Sequence, residues 1–173
     1  MAVQRILRYL VYTPNLGLWY PKGSSFKLVG YSDSDWAKDK VDRKSTSSSC
    51  QFLGRSLVSW SSKKQNCVSL STVEAEYIAA GSCCAQLLWM RQTLMEYGVL
   101  CDKVPLLCDN ESAIKIAKNP CNIAEPSILI FVIMFFGIMW HEKTLRCFMW
   151  APTSNLRKFS QSHLMKQGFV VKA

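Results

Sequence analysis

The longest periodic stretch of this chain runs from Ser71 to Gly98, and the segments on either side decide what it can pack against. Ser71-x-x-Glu74 is a capping box, in which a hydroxyl and a carboxylate satisfy backbone amides that a helix leaves open at its start. Tyr77, Ile78, Ala80, Leu87, Leu88, Met90, Leu94 and Tyr97 continue the helical pattern, and Gly98 ends it. Three strand-like runs come before it: Phe26 to Tyr31, Thr46–Leu53 and Ser56–Trp60, with Gly54-Arg55 as the turn between the last two. The serine-rich stretch 45–49 alternates into Cys50, Phe52 and Leu53, which fits an amphipathic strand better than a linker. Val104–Cys108 reads as a fourth strand and Glu111–Lys118 as a second helix that Pro120 terminates. Strand-strand-strand-helix-strand-helix is an α/β arrangement. At the front, Val3, Ile6, Leu7, Leu10 and Val11 recur at helical spacing until Pro14, Asn15 and Gly17 break the pattern.

Three carboxylates fall at special places in this layout. Asp33 follows the first strand in Tyr31-Ser-Asp-Ser-Asp-Trp36, Glu76 sits in the first turn or so of the long helix, and Asp109 ends the fourth strand in Leu106-Leu-Cys-Asp-Asn-Glu111. Each alone is an ordinary turn or helix residue. Together, two strand ends and the helix between them can bring three acidic groups onto a divalent metal pair. Asp35, in the same motif as Asp33, reads as structural or solvated.

The runs Gly30-Tyr-Ser-Asp-Ser-Asp-Trp-Ala37, Asp42-Arg-Lys-Ser-Thr-Ser47 and Val58-Ser-Trp-Ser-Ser-Lys-Lys-Gln65 carry a more specific signal. With Leu70-Ser-Thr-Val-Glu-Ala-Glu-Tyr-Ile-Ala-Ala80 and Leu106-Leu-Cys-Asp-Asn-Glu-Ser-Ala-Ile114, they resemble the ribonuclease H region of copia-type retrotransposon Pol polyproteins. The resemblance is near continuous from about Ala2 to Pro120 and then stops. It implies a ribonuclease H-like mixed sheet flanked by helices, incomplete at the C-terminus. Residues 1–22 would end the segment that joins reverse transcriptase to this domain, 23–120 would form the domain, and 121–173 would be an aberrant apolar and basic tail with the marks of a frame shift.

The family's activity is hydrolysis of the RNA strand of RNA–DNA hybrids with two Mg²⁺ (or Mn²⁺) ions. In that family Asp33, Glu76 and Asp109 would be three of four catalytic metal ligands. The fourth belongs to a His-Ile-Asp-type motif that this chain lacks, so impaired catalysis is expected; Glu125 and Glu142 are the carboxylates left after Glu111. Ser34, Thr72 and Asn110 adjoin the carboxylates as candidate contacts to sugar hydroxyls or phosphates, with turn or capping roles as the alternative. Lys63 and Lys64 are candidate phosphate contacts, with a solvated turn as the favoured alternative. The implied partners are an RNA–DNA hybrid and the reverse transcriptase domain of the same polyprotein. A non-catalytic, nucleic-acid-binding remnant is the rival reading, and a small membrane-associated protein using 127–140 is a third.

Charge and cysteine usage bear on these alternatives. The formal net charge of +9 suits a phosphate backbone, although solubility alone also accounts for it. Eight cysteines contain no Cys-x-x-Cys pair, and only His141 and His163 are available to supplement a metal set, so free thiols in a reducing compartment are expected. The start lacks the apolar centre and cleavage site of a signal peptide, which points to an intracellular location, cytoplasmic or nuclear. The uncharged run Ser127–Trp140 has 14 residues, short of the roughly 20 that span a bilayer, so a buried strand or helix is the better reading and no membrane partner is implied. Arg146 onward shows no sustained period. Trp36, Trp60, Trp89, Trp140 and Trp150 read as core or surface-cover residues rather than base-stacking platforms.

Overall fold

The computed structural model describes residues 2–14, 17, 18, 20–101, 103–118 and 145–149. The elements are α1 (Ala2–Tyr12), β1 (Leu28–Asp35), β2 (Thr46–Leu53), β3 (Ser56–Lys64), α2 (Thr72–Glu96), β4 (Val104–Cys108), α3 (Glu111–Lys118) and β5 (Leu145–Met149). They form one mixed sheet in the order β3-β2-β1-β4-β5. The first three strands are an antiparallel meander, while β4 runs parallel to β1 and β5 parallel to β4.

The meander follows from its turns. Gly54 sits at φ +61° with its N–H donating to the Lys27 carbonyl, and a Cβ there would meet the Ser25 carbonyl oxygen at 2.0 Å, so the β2–β3 turn requires glycine. The β1–β2 connection is held differently. Asp39 Oδ1 accepts from the N–H groups of Val41 and Asp42, and Lys64 Nζ clamps both acidic side chains, at 2.6 Å from Asp39 and 2.8 Å from Asp42. That pairing, led by the Lys64 contact, holds the partly exposed Asp39 carboxyl down at about 2.

α2 lies across the sheet and supplies the largest single share of the core. Ala80, Cys83, Cys84 and Leu87 recur at helical spacing and pack with Leu28, Val104, Leu106 and Cys108 from the strands and Ala113, Ile114 and Ala117 from α3. Gly30 is the point of closest approach, since a Cβ built on it would lie 2.5 Å from Leu87 Cδ1. The capping box forms with one change: Ser71 Oγ accepts from Glu74 N–H, while the Glu74 carboxylate reaches past it to accept from Leu70 N–H at 2.7 Å.

Three sequence expectations need adjustment. Arg146 onward shows no sustained period in the sequence, yet residues 145–149 form the fifth strand, with Val104 opposite Leu145 and Cys108 opposite Met149. Parallel pairing uses main-chain groups, so it does not require the periodicity that Arg146 onward lacks. Trp36, Trp60 and Trp89 are all exposed, which removes them from the core; Trp36 covers the sheet end instead, donating from Nε1 to the Ser69 carbonyl at 3.0 Å. α1 forms as expected, but Val3, Ile6, Leu7, Leu10 and Val11 are exposed rather than packed. The run 127–140, and with it Glu125, Glu142, His141, His163, Trp140 and Trp150, lies outside the described residues. Among the described residues, no helix is long and apolar enough to cross a membrane, and six cysteines are free thiols.

Candidate active site

The topology brings the three sequence-selected carboxylates to one end of the sheet. β1 and β4 run side by side with Gly30 beside Leu106 and Tyr31 beside Leu107; two residues further along each strand come Asp33 and Asp109. Glu76 approaches from the first turns of α2 and is only 7% exposed. Ser34 N–H donates to Glu76 Oε1 at 3.0 Å, which ties the start of the helix to the end of β1.

The tightest group is not the one that the sequence singled out. Glu76, Cys108 and Asp109 offer ligand atoms that all lie within 4.8 Å of one another. Cys108 Sγ is 3.9 Å from Glu76 Oε2 and 3.5 Å from the Asn110 nitrogen. Asp33 stands outside this group, but its charge is felt within it. Cys108 went unremarked in the sequence because it precedes Asp109 on a buried strand, where a thiol is ordinary core material.

Electrostatics confirm that the carboxylates crowd one another. Burial, the largest cause, raises Glu76 from 4.5 to about 7; the charges of Asp109 and Asp33 add to this, and hydrogen bonding to Ser34 opposes it. Burial also leads for Asp33, which with the charge of Asp109 is raised from 3.8 to about 6 against the Ser34 backbone hydrogen bond. Two carboxyls that resist ionisation beside a third create a strong local demand for positive charge. Oxygen donors of this kind match a hard divalent cation such as Mg²⁺ or Mn²⁺; the Cys108 sulfur is a soft donor and does not. Asp35, by contrast, is exposed and paired with Lys38.

The other selected residues divide by surroundings. Ser34 contacts the carboxylate site through its N–H. Thr72 is the exposed first residue of α2, directly after the Ser71 cap. Asn110 Oδ1 accepts from Ala113 N–H at 3.0 Å, so this side chain caps α3. Lys64 is held by Asp39 and Asp42, whereas Lys63 lines a groove between the β2–β3 hairpin and α2.

No protein-family model matches the chain. It is similar to the retrovirus-related Pol polyprotein from transposon RE1 of Arabidopsis thaliana, with 42% identity over 120 residues that make up 69% of this chain and 8% of that one. The Pol polyprotein from transposon TNT 1-94 of Nicotiana tabacum gives 42% identity over 118 residues, 68% of this chain and 9% of that one. The chain thus spans less than a tenth of the length of these two polyproteins. Among solved structures, an RNase H1 isolated from compost superposes with a TM-score of 0.52 at 16% identity, covering 76% of this chain and 89% of that one. That likeness concerns the fold.

Proposed function

We propose that this chain, a ribonuclease H-like segment descended from the Pol polyprotein of copia-type retrotransposons, binds RNA–DNA hybrids and hydrolyses their RNA strand at the Asp33–Glu76–Asp109 site. One observation carries the reading: at the end of the sheet where β1, β4 and α2 meet, Asp33 and Glu76 are raised toward neutrality by burial and by the nearby charge of Asp109. Perturbed acidic groups gathered in this way are characteristic of functional sites.

Asp33, Glu76 and Asp109 fit a divalent cation by donor chemistry, and Mg²⁺ or Mn²⁺ held there would supply water activation and stabilisation of the leaving oxygen. Glu76 is the best positioned of the three, because Ser34 N–H fixes Oε1 and the helix cannot swing it away. Asp33 and Asp109 flank it from adjacent parallel strands. The basic balance of the chain favours the polyanionic substrate.

A second reading, a hybrid-binding remnant without catalysis, draws support from the position of Asp33 outside the tight ligand group. The deciding experiment incubates the chain with a labelled RNA–DNA hybrid and Mg²⁺, beside an Asp109→Asn variant. Cleavage by the wild type that the variant lacks supports the enzyme. Hybrid retention without cleavage supports the remnant. Equal cleavage by both proteins refutes the site.

A further inference from the structure

A cavity of about 300 Å³ lies between α2 and the β2–β3 hairpin, away from the carboxylates. One side is a strip of sheet facing the helix: Ser47, Ser49 and Gln51 on β2 stand opposite Lys63, Ser61 and Ser59 on β3. Ser82 and Gln86 of α2 form the other side. A sheet face beneath a helix is ordinarily apolar. This one offers hydroxyls, amides and a single ammonium group beside Trp60 and Ala79, and among the described residues no acidic side chain lines it.

Gln51 supplies the second observation. It is 0% exposed, and its amide nitrogen donates to Ser49 Oγ at 3.2 Å and to Cys83 Sγ at 3.5 Å, while Oε1 has no partner. A buried acceptor left without a donor is costly, and a ligand donor relieves it. Lys63 makes no ion pair among the described residues, in contrast to its neighbour Lys64. A cation with surrounding hydroxyl donors and no competing carboxylate suits a phosphate. The volume lies at the lower end of the range for small-ligand sites, about 300–1,000 Å³.

We propose that this groove binds a nucleotide. The phosphate lies at Lys63 and the serine hydroxyls, and a hydroxyl or amine of the sugar or base donates to Gln51 Oε1. Ser47 and Ser48 pair with Ser34 and Asp33 on β1, so the groove begins one strand away from the carboxylate site. The choice of a nucleotide among phosphorylated ligands rests on the proposed nucleic-acid function; the polarity of the groove does not.

The test is calorimetric titration of the full 173-residue chain in EDTA with uridine 5′-monophosphate, uridine, inorganic phosphate and a uridine oligonucleotide. The monophosphate should bind saturably, with uridine and phosphate each weaker by about tenfold or more, as expected for loss of a charge-assisted contact or of the donor to Gln51. Lys63→Ala and Gln51→Leu should each weaken it by about fivefold or more. Should Gln51→Leu fail to fold, Ser82→Leu at the exposed wall position fills the groove and should give the same loss. Oligonucleotide binding with the same sensitivity assigns the groove to a strand; binding of the monophosphate alone assigns it to a free nucleotide. No saturable binding, phosphate binding as tight as that of the monophosphate, or affinity unchanged by both Lys63→Ala and Ser82→Leu overturns the proposal. Asp109→Asn separates the two sites: nucleotide binding persists in it whether or not hybrid cleavage is found in the wild type.

Discussion

Glu76→Gln should make the metal-free protein more stable at pH 8, at the expense of the proposed activity. Glu76 is buried at the start of α2, and its carboxyl is raised from 4.5 to about 7. Between those two pH values the folded state keeps a proton that the unfolded chain has released, so stability falls as pH rises through this window. Above about pH 7 the full cost is in place, and at 1.36 kcal/mol per pH unit it comes to about 3 kcal/mol. Gln retains an oxygen that can accept from Ser34 N–H and carries no charge. Its new NH₂ must face Cys108 Sγ, a poor acceptor, which reduces the net gain to about 2 kcal/mol. Urea unfolding in EDTA at pH 4 and pH 8 measures this directly. At pH 4, where only the misplaced NH₂ counts, the variant should trail by about 1 kcal/mol, and at pH 8 it should lead by about 2 kcal/mol, or about 4–8 °C in Tm. Millimolar Mg²⁺ should narrow the gap by stabilising the wild type through binding. A variant that is equal or weaker at pH 8, or ahead by the same margin at both pH values, would refute the argument.

Other consequences follow from the same geometry. Asp109→Asn should abolish Mg²⁺-dependent hybrid cleavage in a gel assay while leaving the circular dichroism spectrum intact, because Asp109 is an exposed residue just beyond β4. Mn²⁺ affinity should climb between pH 5 and pH 8 as Asp33, at about 6, and Glu76, at about 7, lose their protons; a flat profile by calorimetry would show that these groups are not ligands. Gly30→Ala should cost about 1–3 kcal/mol in chemical denaturation, since its Cβ would press on Leu87. Lys64→Ala should free Asp39, and the Asp39 carboxyl, now at about 2, should return toward its ordinary value of 3.8 in an NMR titration.

The fold was legible where local chemistry and global packing agreed. The Ser71 cap, the spacing from Tyr77 to Leu87 and the glycines at 54 and 98 each dictate one conformation, and the elements appear close to where these signals put them. The three carboxylates were legible because each closes or opens an element that the topology then brings to a common end. Cys108 was not, since its nearness to Glu76 arises from a crossover that local pattern does not encode. The choice between core and surface cover for Trp60 and Trp89 stayed open for a related reason. Size and apolarity favour burial in general, but Trp60 lies on the edge strand β3 and Trp89 on a face of α2 that nothing among the described residues covers. The serine strip on β2 and β3 was recognised as strand, yet its role as the wall of a groove depended on where α2 came to rest.

The seat that β5 occupies shows which parts of this domain can be rewritten. An outermost parallel strand is recruited through amide and carbonyl groups that nearly every residue carries, so the seat selects for backbone rather than ancestry. Residues 145–149 meet that condition. The interior grants no such licence: Gly30 lies under Leu87, and Asp33 at the end of β1 answers to burial and to the charge of Asp109. The margin of this sheet can therefore accept many different side-chain sets and still close, while its centre admits few.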